Sequence, residues 1–208
     1  MQNLSVALLL FFSSSLLADN FEARIVNAAL ARTKVNVRYD GSYLSIPYPN
    51  GDVPPNIGVC TDVVIRTYRA LDIDLQKLVH EDMKANFDDY PSRRIWGLKG
   101  TDKNIDHRRV PNLQAFFSRH GETLRISSSA EDYLPGELVT WILPGNLPHI
   151  GIVTDDFSKA SGNPLVVHNI GSGPKLEDIL LEFTITGHYR FEPKRQRKVW
   201  STESPAAG

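Results

Sequence analysis

Apolar residues recur at helical spacing in the first part of the chain and at alternate positions in the second. Phe21, Ile25, Ala28 and Ala29, with Arg32, fall on one stripe and predict an amphipathic helix over 21–34. Val63, Val64, Thr67, Tyr68 and Leu71 repeat that stripe over 61–71, and 74–87 reads as a third helix. A short helix over 111–119 is closed by Gly121. The stretches 39–58 and 88–109 are polar and irregular, with Tyr43 and Tyr48 set among turn residues of the first. From Tyr133 the period shortens to two. Pro135-Gly136 marks a turn, 137–143 a strand, 144–148 a loop and 149–154 the returning strand of a hairpin. A third strand is expected over 165–169, and one or two more over 180–191, where Phe183 and Ile185 alternate. Helices first and an antiparallel sheet second make an α+β layout.

The two ends read differently. Residues 4–17 carry no charged side chain and stop at Ala18-Asp19. Such a run falls short of the ~20 residues that cross a bilayer and predicts a signal peptide over 1–18. Export to the periplasm or medium follows, with no transmembrane span in the mature chain; an uncleaved anchor is the competing reading. Residues 201–208 are expected to be a disordered tail. Between them, 19–200 reads as a single domain, with 74–129 as an insertion between the first helices and the sheet. With 41% hydrophobic and 23% charged residues, the composition is that of a globular protein. A formal net charge of −1 gives no support to bulk binding of nucleic acid or anionic membrane. A monomer is expected.

Chemistry enters with Cys60, the only cysteine of the chain. Exported proteins pair their structural cysteines as disulfides, so one thiol behind a leader points to reactivity. It stands in Gly58-Val59-Cys60-Thr61-Asp62, at the start of the 61–71 helix. A helix N-terminus offers unpaired N–H groups and partial positive charge, both favouring thiolate over a thiol of ordinary pKa about 8.5. The N–H of Cys60 would there face a developing oxyanion. The competing reading is a small buried apolar residue. Asp62 reads as a favourable dipole partner.

His149 opens its strand after Pro148. Alternation puts His149, Gly151 and Val153 on one face, Ile150 and Ile152 on the other. Glycine beside histidine leaves room for a close approach, here expected from the helix end bearing the thiol. An imidazole so placed can take the thiol proton. His168 and Asn169 close the third strand, and alternation lets only one of them orient the His149 ring; His168 is preferred.

These segments resemble the NlpC-type papain-like cysteine peptidases of bacterial cell-wall turnover. The likeness rests on Pro47-Tyr48 with Gly51, on Gly58 to Val64, on Pro135-Gly136-Glu137-Leu138-Val139, on His149-Ile150-Gly151-Ile152-Val153 and on Val166-Val167-His168. It covers roughly 43–169. The chain also resembles a family of exported bacterial proteins sharing the Gly-Val-Cys-Thr-Asp segment, whose activity the resemblance leaves open. The NlpC likeness implies a papain-like fold with the cysteine at a helix N-terminus packed on a small antiparallel sheet. It implies Cys60 as nucleophile, His149 as general base, His168 as orienting group and Tyr48 near the oxyanion. It implies cleavage of an amide in peptidoglycan peptides through a thioester, with no metal or organic cofactor. Thr61-Asp62 departs from the usual Ser-Gly after the cysteine, and the 74–129 insertion implies an altered cleft.

Arg108 and Arg109, like Arg93-Arg94, flank the insertion near Trp96 and His107. Arginine pairs suit bidentate capture of a wall-peptide carboxylate, and suit structural ion pairs equally. Lys194, Arg195, Arg197 and Lys198 read as a solvated basic end. His80, His120 and His188 are left as structural or surface residues. Three alternatives stay open: a zinc hydrolase using Cys60, His149 and His168 with an acid, a papain-like acyltransferase, and an inactive wall- or partner-binding module.

Overall fold

The computed structural model describes residues 21–193; the leader over 1–18, the basic run from Lys194 and the 201–208 tail lie outside them. The predicted stripes form α1 (Phe21–Arg32), α2 (Cys60–Arg69), α3 (Leu75–Ala85) and, after the shorter α4 (Ser92–Trp96), α5 (Val110–His120). The alternating half forms β4 (Leu138–Leu143), β5 (Leu147–Phe157), β6 (Pro164–His168) and β8 (Thr184–Arg190). Pieces too short to carry a period complete the molecule: β1 (Arg38–Tyr39), β2 (Ile57–Gly58), β3 (Glu122–Thr123) and β7 (Lys175–Glu177). β1 and β2 pair in parallel, and the others form one antiparallel sheet in the order β3-β8-β4-β5-β6-β7. The architecture is therefore mixed α+β, helices against an antiparallel sheet.

Alternation along the strands divides the core in two. Leu138, Ile150, Ile152 and Val167 face the helices, where they meet Val64, Tyr68, Leu113 and Phe117. Val139, Trp141, Val153 and Val166 face the other way and are roofed by Tyr133, Ile179 and Leu180. Fully burying one such side chain contributes about 1.5–3 kcal/mol, so each layer holds its face of the sheet firmly. The hydroxyl of Tyr68 donates to the carbonyl of Phe191 at 2.9 Å, tying the C-terminal end of α2 to the chain beyond β8.

One irregularity of the sheet fixes where α2 begins. Val153 N–H donates to Glu137 O on the β4 side, so the amides of Ile152 and Ile150 point toward β6. Ile152 pairs with Val167, but β6 ends at His168 and the rung that would oppose Ile150 is missing. The sulfur of Cys60 comes to that place, close enough for the Ile150 N–H to favour its thiolate.

Candidate active site

Val59 is extended (φ −122°, ψ −171°) and has no side-chain acceptor, so the start of α2 is capped from inside the helix. Asp62 Oδ2 accepts Val59 N–H at 2.7 Å, the returning half of a capping box. The same carboxylate receives Arg108 bidentately, Nε on Oδ1 and Nη2 on Oδ2, both at 2.9 Å. Thr61 Oγ1 donates to Arg108 O at 3.2 Å. Asp62 and Arg108 are both buried, and breaking such a pair costs about 3–5 kcal/mol because the survivor is left as an uncompensated charge. The tip of α2 is thus clamped to the turn before α5.

The backbone N–H groups of Ile150, Thr61 and Cys60 itself lie near the sulfur within this clamp, and each favours thiolate. Burial outweighs them. With Cys60 only 5% exposed, the thiol is pushed up to about 12, the Asp62 charge adding to the effect. His149, one residue from the Ile150 amide, is buried beside Trp141, ring centroids 5.8 Å apart. Burial, then the neighbouring His168, brings its imidazole down to about 3. Both shifts favour the neutral form near pH 7, a thiol at Cys60 and an uncharged imidazole at His149.

His149 Nε2 lies 3.2 Å from His168 Nδ1, with the two rings nearly perpendicular. Asn169 is turned to the other face of β6, where it lines a narrow gap with Gly58, Val59 and Asp62; its Oδ1 accepts Gly171 N–H. The close approach expected at Gly151 is made by β6 and not by the helix end. A Cβ there would sit 2.6 Å from Val166 Cγ1 and 3.2 Å from His168 Cβ. Absence of that Cβ lets His168 come to His149.

Other residues singled out by sequence fall elsewhere. Tyr48 stands edge-on to His80 of α3 at 5.1 Å, with Lys103 Nζ 5.9 Å from its ring, and its phenol is raised by burial and then by Glu81 and Asp74. The tyrosine whose phenol feels the Cys60 charge is Tyr39 on β1; burial raises it first, then Cys60 and Asp62, against Arg108. Arg108, expected at a substrate carboxylate, turns its guanidinium inward to Asp62. Arg109 is partly exposed, paired with Asp106 at 2.9 Å and lying 4.5 Å over the Trp96 ring. Arg93 pairs with Asp88, and Arg94 borders a groove of about 770 Å³ between α4, α5 and the β4–β5 hairpin, with Pro148 in its wall. His188 is locked between Glu137 (2.5 Å) and the carbonyl of Arg125 (3.1 Å).

Two neighbours of the site were not anticipated. Tyr39 lies in a two-residue strand with no periodic signal, while the Pro-Tyr likeness drew attention to Tyr48. Glu177, in the three-residue β7, places Oε2 3.0 Å from His168 Nε2. Among the described residues, no three His, Cys, Asp or Glu side chains converge so as to hold a metal ion. Among the same residues, no helix is long and apolar enough to cross a membrane.

Comparison with known proteins places this chain in a family. Uncharacterized protein YijF of Escherichia coli (strain K12) is 49% identical over 172 residues, which span 83% of this chain and 82% of the relative. A crystal structure of an N-acetylmuramoyl-L-alanine amidase from Bacteroides uniformis ATCC 8492 overlays with a TM-score of 0.46 at 13% identity, covering 81% of this chain and 96% of that one. The family model described as "Domain of unknown function (DUF1287)" matches residues 26–191, running through the 74–129 segment and every site residue above. The chain belongs to the DUF1287 family.

Proposed function

We propose that this protein is an exported cysteine hydrolase of the papain-like, NlpC type, cutting an amide bond in the peptide part of peptidoglycan. One observation carries the reading. The sulfur at the tip of α2 lies beside the amide next to His149, and His149 Nε2 is 3.2 Å from His168 Nδ1. A thiol, a base and a group orienting that base are the parts that nucleophilic acyl transfer requires.

The chemistry starts from the neutral pair. As Sγ bonds to the substrate carbonyl, its proton passes to His149, and the amide N–H groups at the tip of α2 stabilise the developing oxyanion. The imidazolium gives that proton to the departing amine, leaving a thioester on Cys60. Neutral His149 then activates water, which releases the acid and restores the thiol. Tyr39, near Cys60 and Asp62, and the partly exposed Arg109 are the polar groups proposed to meet a substrate, while Arg108 acts through Asp62. Export is part of the proposal, since the leader predicts it.

A second reading, a wall-binding module in which Cys60 is incidental, draws its support from the burial of the thiol. One experiment separates the two. The chain without residues 1–18 is incubated with peptidoglycan fragments, wild type against Cys60→Ala, and products are weighed by mass spectrometry. Peptide hydrolysed by wild type alone is the expected result; joining of the peptide to an amine acceptor would mark a transferase. Fragments retained equally by both proteins and cut by neither would leave only the binding module.

A further inference from the structure

His149 and His168 can share their hydrogen bond in two ways, and only one leaves a usable base. If His168 Nδ1–H donates, His149 accepts at Nε2, its own proton sits on Nδ1, and no lone pair remains for the thiol. If His149 Nε2–H donates, Nδ1 of His149 is free. The 3.2 Å contact fits either arrangement.

We propose that Glu177 is the positioning residue that breaks this degeneracy, fixing both tautomers so that Nδ1 of His149 is the basic atom; the role in catalysis rests on the hydrolase reading above. A carboxylate only accepts. Glu177 Oε2 lies 3.0 Å from His168 Nε2, and a carboxylate at that distance favours the tautomer that carries its proton on Nε2. A neutral imidazole has one N–H, and burial holds His168 below its ordinary pKa despite the opposing Glu177 charge. Its Nδ1 is then an acceptor, His149 Nε2 must donate, and His149 Nδ1 keeps its lone pair. The same carboxylate offsets the charge formed when His149 takes the thiol proton, in surroundings where a lone cation is costly.

Register explains how a side chain of β7 reaches His168. Val166 pairs with Glu177 and His168 with Lys175, so Glu177 and His168 are diagonal neighbours. Glu177 is 42% exposed, and Lys175 Nζ stands 3.8 Å from its other oxygen. At 3.0 Å the carboxylate is within reach of Nε2 but off the N–H line, so that this nitrogen has no hydrogen-bond partner as the side chains stand; rotation of the exposed Glu177 side chain completes the bond.

The test reads tautomers directly. Full-length protein labelled with ¹⁵N-histidine is studied near pH 7 by long-range ¹H–¹⁵N correlation, with His149→Asn and His168→Asn assigning the signals. Wild type should show protonated Nε2 and bare Nδ1 on both rings. Glu177→Gln keeps an acceptor and should retain that pattern, whereas Glu177→Met should give His168 a protonated Nδ1 fraction. Thermal melts check that the variants fold. A wild-type His168 protonated on Nδ1, or a Glu177→Met spectrum matching wild type, overturns the proposal. Where turnover of wall peptides is seen, Glu177→Met should lower kcat by about ten- to a hundredfold at unchanged KM, the usual effect of losing an orienting outer partner. Absence of Cys60-dependent turnover would remove the hydrolase reading and leave the tautomer result to decide the role of Glu177.

Discussion

At Cys60 two influences oppose each other, and their balance can be measured. Three N–H groups and a helix terminus favour the thiolate, and burial disfavours it more, leaving the thiol at about 12. A free thiol at pH 7 is a few per cent ionised, and this one would be ionised more than a thousandfold less. The higher intrinsic nucleophilicity of a more basic sulfur recovers part of that, so alkylation of Cys60 by iodoacetamide at pH 7 should run on the order of a hundredfold slower than that of free cysteine. The rate should climb tenfold per pH unit to at least pH 9.5. A rate already level below pH 7 would mean a standing thiolate–imidazolium pair and would sink the neutral resting state. The positions of Cys60 and His149 were legible in the sequence because their types are rare and their settings regular: one cysteine at a helix start, one histidine near a strand start. Glu177 and Tyr39 were not, because a lone acid or tyrosine in a two- or three-residue strand has neither a period nor a motif to mark it.

Between elements the decisive contact is β6 against β5, and glycine controls it. A methyl group at Gly151 would stand 2.6 Å from Val166 Cγ1 and 3.1 Å from Val167 O, in a sheet interior that cannot relax far. Gly151→Ala should cost about 1–3 kcal/mol and lower the melting temperature by several degrees, while displacing His168 from His149. Gly100→Ala, with nothing within 4 Å of the added carbon, is the control and should melt like wild type. Equal melting of the two variants would mean that β6 does not press on β5 as described. Why glycine stands at 151 shows where sequence reasoning stops. Alternation correctly put Gly151 on the face of His149, yet period two cannot say which element fills the space, and the filler is the next strand instead of the thiol helix. α4 escaped for a related reason: five residues, one of them the buried Ser92, make too little of a stripe to read. The bidentate Asp62–Arg108 pair spans 46 residues of sequence, a separation over which no local pattern carries information.

For the molecule as a whole, buried histidines set a limit on acid stability. His149 and His107 are each brought down to about 3, and His168 is lowered as well, all first by burial; Arg108 and Arg69 add to the effect at His107. An unfolded chain titrates these rings near 6.5, so between about 3 and 6.5 it binds protons that the folded protein refuses. Their contribution is complete above 6.5 and is lost as pH falls, at about 1.4 kcal/mol per pKa unit for each ring. Asp106 works in the opposite direction. Burial raises its carboxyl to about 6, so between about 4 and 6 the folded state takes up a proton the unfolded state has shed, which offsets roughly one histidine. These three buried rings, against one raised acid, leave a net loss on acidification. Urea unfolding at pH 7.5, 5.5 and 4.5 should therefore give midpoints that fall steadily at a constant slope with denaturant. His107→Gln, which removes one titrating ring, should shrink the difference between pH 7.5 and 4.5 whatever it does to stability at either pH. A wild-type midpoint that holds level across that range would mean that water reaches these imidazoles, and with it the argument for a neutral, desolvated pair at Cys60 and His149 would lose its physical basis.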